Sequence, residues 1–304
     1  LPVEWITIKG VPLSFSHDVC RIPETPLGGC LNHFQINNTV QYVIEENIFE
    51  KILVIFGSDE PLFLEWRKIV EGFKKELKFK TANCATIEEV SNAISKYKPD
   101  ILIFDCHGGY DSNDVSTYLM IRDEKLTSKI IIDKGIVAPI VFLSACGTAP
   151  SYGFFNSIAQ GFFEAGALTV TTTFLPVEIN KSSIIYVRLL YKLKAAIENN
   201  IHKNWLEFVS HIVRTSSVLE AFMASMEKEE APSKEVSMIL TELLAFSKRR
   251  GIYRNMDAKL KEISSKNNNA FSNQIPEYLF YSNLGRPDLI YFKKWVNEKR
   301  KINN

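Results

Sequence analysis

Two hydrophobic periods alternate along the first half of this chain. Residues 51–56, from Lys51 through Ile52, Leu53, Val54 and Ile55 to Phe56, form a short, almost unbroken apolar run ending at Gly57, Ser58 and Asp59, the pattern of a strand buried on both faces. Pro61 stands where a first helical turn tolerates it, and Leu62, Trp66, Ile69 and Phe73 recur at helical spacing. A second strand is expected at 77–82. Thr86 and Glu89 then make a capping-box pattern ahead of Ile87, Val90, Ile94 and Tyr97 on one helical face, which Pro99 closes. A third strand, 101–105, runs straight into Cys106, His107, Gly108 and Gly109. Residues 118–121 and 126–132, on either side of Arg122 to Lys125, predict a small hairpin beside the main sheet. A fourth strand at 139–143 leads to Ser144, Ala145, Cys146, Gly147 and Thr148. A helix from about 154 to 165 stops at Gly166, and 167–173 makes a fifth strand rich in β-branched residues.

Repeated strand and helix units imply an α/β fold with a mostly parallel sheet covered by helices on both faces. Beyond Asn180 the period becomes helical, over 182–198 and 203–226, then a polar loop at 227–234 and a further helix at 235–247. The basic patch Lys248, Arg249, Arg250 follows and reads as the solvated end of that helix or as a contact for an acidic partner; a polar loop spans about 267–274. A sixth strand is expected at 278–281, ended by Asn283 to Pro287. The first 46 residues, broken by Pro2, Pro12, Pro23, Pro26 and the Gly28-Gly29 pair, predict short extended pieces that pack on the core. The expected organisation is therefore an extended segment at 1–46, a main domain at 47–295 with a helical insertion at about 181–275, and a polar tail at 296–304.

Composition narrows the function. The chain has 304 residues, 46% of them hydrophobic, enough for a substantial core. Its 36 basic and 35 acidic residues nearly cancel and form no long basic stripe, which disfavours direct nucleic-acid binding through phosphate contacts. Five cysteines, at 20, 30, 84, 106 and 146, show no CxxC pair and no metal-ligand spacing, so neither a disulfide framework nor a metal site is expected, and no cofactor motif stands out. No apolar run reaches the roughly 18 residues that cross a bilayer, and no signal-peptide pattern precedes the first strand, so a cytoplasmic, reducing setting is expected. The chain starts at Leu1 rather than Met, as a processed form or a module of a longer polypeptide would.

In an open parallel sheet, reactive groups collect where strands end at their carboxyl edge. His107 and Cys146, 39 positions apart, both stand there, each beside glycine. A thiolate that attacks a carbonyl needs an imidazole in reach to manage protons, and glycines let backbone amides approach, so the amides of Gly108 and Cys146 are candidates for an oxyanion hole. Asp105 and Asp111 could orient the imidazole or serve as solvated loop acids. Asp59 could line a substrate cleft or cap the helix at Pro61. Cys106 should face the core, since neighbours on a strand point to opposite faces. His17, His33, His202 and His211 lack a convergent motif. Ser144 lacks the Gly-x-Ser-x-Gly elbow of a serine hydrolase, and Gly57, Ser58 and Asp59 do not make a phosphate-cradling loop.

These residues resemble the CHAT domain, a bacterial branch of the caspase and separase peptidase clan. The resemblance rests on Cys106 to Gly109 and Leu143 to Thr148 after their strands, and on the run from Gly166 and Ala167 through Thr171 to Thr173 and on to Leu175, Pro176, Val177 and Glu178. Leu1 to Trp5, Arg21 to Pro23, the hairpin end at Leu126 and Thr127, and the closing stretch from Tyr278 to Gly285 support it. It implies a caspase-like three-layer sandwich with a six-stranded sheet, a His107 and Cys146 dyad, cysteine endopeptidase activity on a protein or peptide substrate, and control by a sensor module or partner protein in bacterial defence or programmed cell death. The chain departs from the family where Trp usually precedes Pro-Val and an acidic pair follows. Here Leu175 precedes Pro176, and Glu178, a second candidate for the cleft, is followed by Ile179. That departure keeps open a catalytically inactive scaffold that binds a partner protein.

Overall fold

The computed structural model describes residues 6–8, 11–22, 42–113, 115–148, 157–226 and 276–303. The N-terminal segment forms β1 (Thr7–Ile8), β2 (Val11–Pro12), α1 (Leu13–Ser16) and β3 (Tyr42–Ile44). The alternating region supplies β4 (Ile52–Phe56), α2 (Pro61–Leu77), β5 (Lys80–Asn83), α3 (Ile87–Tyr97) and β6 (Ile101–Asp105). A three-stranded side sheet follows, β7 (His107–Asp111), β8 (Ser116–Ile121) and β9 (Glu124–Thr127), and then α4 (Ser128–Lys134). β10 (Ile140–Ser144), α5 (Ile158–Glu164) and β11 (Thr169–Thr173) complete the parallel part. Last come α6 (Ile179–Asn199), α7 (Trp205–Met226), β12 (Tyr281–Gly285), β13 (Ile290–Phe292) and α8 (Lys293–Asn303).

The main sheet has six strands in the order β12-β11-β10-β6-β4-β5, parallel except for the antiparallel edge strand β12. Strand alternation divides its side chains between two cores. Ile52, Val54, Ile101, Ile103, Ile140 and Phe142 face α2, α6 and α7, whereas Leu53, Ile55, Leu102, Phe104, Val141 and Leu143 face α3, α4 and α5. With both faces covered, the strands read as continuous apolar runs, and the architecture is the expected three-layer α/β sandwich. The described part of the N-terminal segment packs on it. Arg21 exchanges backbone hydrogen bonds with Asn283 (2.8 Å) and Gly285 (2.7 Å) on β12, and the Arg214 guanidinium of α7 donates to the carbonyls of Ser14 and His17.

Several boundaries differ from the sequence expectation. Residues 277–280 form a 3-10 turn, so the sixth strand begins at Tyr281, three residues late, because Pro276 starts a turn before the chain meets β11. The hairpin's second arm ends at Thr127, whose hydroxyl accepts from the Ile130 amide and starts α4 in place of a strand reaching 132. Leu77 ends α2, and the second strand occupies 80–83. His107 and its glycines form β7, a strand that the glycine pair concealed. The Thr86 cap before α3 is present, with Glu89 N–H donating to Thr86 Oγ1 at 3.2 Å, while the Glu89 carboxylate reaches one residue past the capping-box position and accepts from the Ala85 amide at 2.6 Å. The helix expected at 235–247, the basic patch at 248–250, the loop at 267–274 and Cys30 lie outside the described residues.

One buried base lies far from the sheet edge. His211 of α7 packs against His202, ring centroids 5.0 Å apart. Burial, then the charges of His202, Arg214, Lys192 and Arg188, push its imidazole from the ordinary 6.5 down to about 3. The folded chain therefore keeps it neutral while the unfolded chain protonates it below pH 6.5. Stability should fall as pH drops from 6.5 towards 3, by up to about 1.4 kcal/mol per pH unit for one proton. Denaturation midpoints at pH 4.5 and 7 should differ less in His211→Gln than in the wild type.

Candidate active site

Three neighbouring strands end level with one another. Phe56 of β4 is in register with Asp105 of β6, and Asp105 with Ser144 of β10. Backbone pairing continues past these ends through Gly57 N–H to Asp105 O at 3.0 Å and Cys106 N–H to Ser144 O at 3.4 Å. The chain leaves β6 and β10 at the same height, which brings the two following segments together. A Cβ added to Gly108 would lie 2.1 Å from the Cys146 carbonyl oxygen and 3.0 Å from its amide nitrogen. Only glycine permits that approach. Gly147, at φ +54°, turns the chain away directly after Cys146.

His107 and Cys146 are both half-buried. The imidazole Nε2 stands 2.8 Å from Glu60 Oε1, and its ring meets the buried Phe63 edge-on, centroids 4.9 Å apart. A carboxylate only accepts, so Nε2 carries the proton in the neutral ring and Nδ1 is left as the free base. The Cys146 thiol donates to the Val177 carbonyl at 3.2 Å, and the Val177 amide points back at the sulfur from 3.5 Å. The loop that carries Cys146 is held by threonine hydroxyls. Thr173 Oγ1 donates to Ala145 O at 2.8 Å, Thr117 Oγ1 donates to Thr148 O at 3.2 Å, and the Thr148 and Thr172 hydroxyls bond each other.

The other candidates separate. Asp111 pairs with Lys125 Nζ at 2.8 Å and does not orient the imidazole. Asp105 is buried beneath the site: Tyr186 OH donates to its Oδ2 at 2.8 Å, and Ser144 Oγ lies 3.5 Å from its Oδ1. Burial raises its carboxyl to about 7 against the pull of the Tyr186 hydrogen bond and of the Arg67 charge. Asp59 does not cap α2; the capping position is Glu60, whose side chain makes no cap bond. The Asp59 carboxylate is instead engaged by the Arg67 and Arg122 guanidiniums. Glu178 is exposed at the rim, 3.4 Å from Lys181 Nζ, while its N–H donates to Glu277 at 2.8 Å. Cys106 faces the core, where burial drives its thiol well up; burial likewise raises Cys20 to about 11 and Cys84 to about 12. Glu60 was not singled out from the sequence. Its only signal was its place at the end of the first strand's loop, immediately before Pro61.

Among the described residues no group of three or more His, Cys, Asp or Glu is placed to hold a metal ion, and no helix is long and apolar enough to cross a membrane. Residues 63–202 match the family model of the CHAT domain, a span that includes both His107 and Cys146. No curated protein matches the chain in sequence. In fold it is similar to the Arg-specific cysteine proteinase gingipain R, at 10% identity and a TM-score of 0.50 over 86% of this chain and 53% of that one. It is also similar to the complex of Porphyromonas gingivalis RgpB pro- and mature domains, at 10% identity and a TM-score of 0.51 over 93% of this chain and 59% of that one. The chain thus spans less than two thirds of either relative.

The closeness of Gly108 to Cys146 makes a direct prediction. Gly108→Ala should destabilise the fold by about 1–3 kcal/mol, because two backbone segments must part to admit one methyl group. Thermal unfolding will measure the loss, and the iodoacetamide rate at Cys146 should change with it.

Proposed function

The chain carries a CHAT domain on a caspase-like fold, and from that premise we propose that it is a cysteine endopeptidase whose reacting pair is Cys146 and His107. The observation that carries the reading is the contact of Gly108 with the Cys146 backbone, which sets the residue after the histidine against the cysteine itself. In the proposed cycle His107 Nδ1 takes the thiol proton and the Cys146 thiolate attacks the scissile carbonyl. The amides of Gly108 and Cys146 stabilise the oxyanion. The imidazolium returns its proton to the leaving amine, and the same nitrogen then activates the water that hydrolyses the acyl-enzyme. Glu60 holds the ring through its 2.8 Å contact with Nε2. Asp59 and Glu178 flank the proposed cleft, Asp59 already matched by two arginines and Glu178 facing solvent.

The substrate is proposed to be a specific protein, and the setting bacterial defence or programmed cell death in a reducing cytoplasm. The helical section between β11 and β12 is proposed as the place where a sensor module or partner acts. In the present arrangement the thiol faces Val177 and the imidazole faces Glu60, consistent with a resting enzyme that an activator completes. The departure at Leu175 to Ile179 from the family pattern supports one alternative, a scaffold that binds a partner without cleaving it.

Incubation with a proteome-derived peptide library, read by mass spectrometry, should give cleavage by the wild type and none by Cys146→Ala, with the fold of the variant unchanged. Undiminished cleavage by that variant overturns the assignment. Glu60→Gln should lower kcat/KM about tenfold, a loss of ~1.4 kcal/mol of transition-state stabilisation. If Cys146 reacts with an active-site thiol probe no faster than Cys20 or Cys84, even beside the natural activator, the scaffold reading replaces the enzyme.

A further inference from the structure

The proposed reaction leaves one buried acid without a task. Asp105 ends β6 two residues before His107, and its register partner Ser144 ends β10 two residues before Cys146. By strand alternation both side chains point to the core beneath α2 and α6. There the carboxyl is 1% exposed and meets groups from every element around it: Arg67 of α2, Tyr186 of α6, Ser144 of β10 and Tyr281 of β12, with Cys106 next in the chain.

The hydrogen bonds settle where a proton belongs. Ser144 Oγ has one proton and lies 2.9 Å from the Ser182 carbonyl, a group that can only accept. That bond uses the serine proton. The long 3.5 Å contact between Ser144 Oγ and Asp105 Oδ1 is then left for a proton from the acid, because a carboxylate would set its lone pair against that of the serine oxygen. Oδ2 meanwhile accepts from Tyr186 OH at 2.8 Å. A neutral acid satisfies all three bonds at once; a carboxylate would lose the one to Ser144. The Arg67 guanidinium is directed elsewhere, to Ser58 O at 2.6 Å and to Asp59.

We propose that Asp105 is held as a neutral carboxylic acid and serves as a positioning residue, its proton tying the root of the His107 strand to the root of the Cys146 strand and, through Ser182, to α6. Ionisation replaces that bond by repulsion across the β6–β10 pair and loosens the alignment of the two strand ends. The positioning role rests on the His107 and Cys146 reading above, whereas the protonation does not. Burial acts in the same direction, raising the acid to about 7. The folded chain binds this proton more tightly than the unfolded chain, so the stabilisation is complete below pH 3.8 and is lost as pH rises through about 7. His211 contributes with the opposite sign, and the difference between wild type and D105N isolates Asp105.

The test is thermal unfolding of the full chain from pH 5 to 8 for wild type, D105N and Y186F, with iodoacetamide alkylation of Cys146 over the same range, corrected by C146A. Asparagine keeps a donor for Ser144 and an acceptor for Tyr186 but cannot ionise. The unfolding midpoint of D105N relative to wild type should rise by roughly 5 °C across this range. Y186F removes the donor that favours the carboxylate and should move the wild-type transition to higher pH; if D105N fails to fold, this shift decides. Parallel wild-type and D105N profiles, or an unmoved Y186F transition, overturn the neutral acid. The wild-type alkylation profile should depart from that of D105N around pH 7. If the two profiles coincide, the acid is structural only and the positioning role falls. Failure of every form to cleave peptides would count against the peptidase and would leave both of these readouts standing.

Discussion

The site depends on how closely the chain leaving β6 can approach the chain leaving β10. Parallel pairing sets Asp105 opposite Ser144, so both strands release the backbone at one level. At that level Gly108 lies against Cys146 with no room for a side chain between them. The rest of the molecule protects this register. Two apolar cores grip alternate residues of the same strands from opposite sides, and a slip of one residue would exchange every buried side chain for one meant for the other face.

Polar groups at this edge are costly to bury and are correspondingly tied down. Threonine hydroxyls from β8 and β11 satisfy the carbonyls of Ala145 and Thr148 on either side of Cys146, replacing the ladder bonds that a strand would have supplied. Beneath them Asp105, Ser144, Ser182 and Tyr186 link β6, β10 and α6. The network is not complete. Ser183 Oγ and Tyr281 OH are buried without hydrogen-bond partners among the described residues.

The thiol and the imidazole are held by segments that enter two different helices. Cys146 is engaged by Val177, from the stretch entering α6, and His107 by Glu60, from the stretch entering α2. α2 and α6 cover the same face of the sheet and share its core, so a movement of either helix would reach one member of the pair through a single residue.

The pattern of residues was sufficient for the layers. Short unbroken apolar runs set between turn residues read as strands covered twice, and the intervening helical stripes supply the cover, so the mostly parallel sheet and the strand-end positions of His107 and Cys146 were legible in the sequence. Boundaries were legible where a cap states them, as Thr86 does, and obscured where glycines carry no side-chain pattern, as at β7, or where a proline turn delays a strand, as at Tyr281. What the chain could not announce was which acid serves which group. Asp59, Glu60, Asp105 and Asp111 are equivalent as letters. Strand alternation buries Asp105, the turn after β4 sends Asp59 to two arginines, the side sheet sets Asp111 against Lys125, and Glu60 is left for the histidine. Those assignments depend on contacts between residues as many as 63 positions apart, as between Asp59 and Arg122, and such contacts exist only once the sheet has fixed the distance between its strand ends.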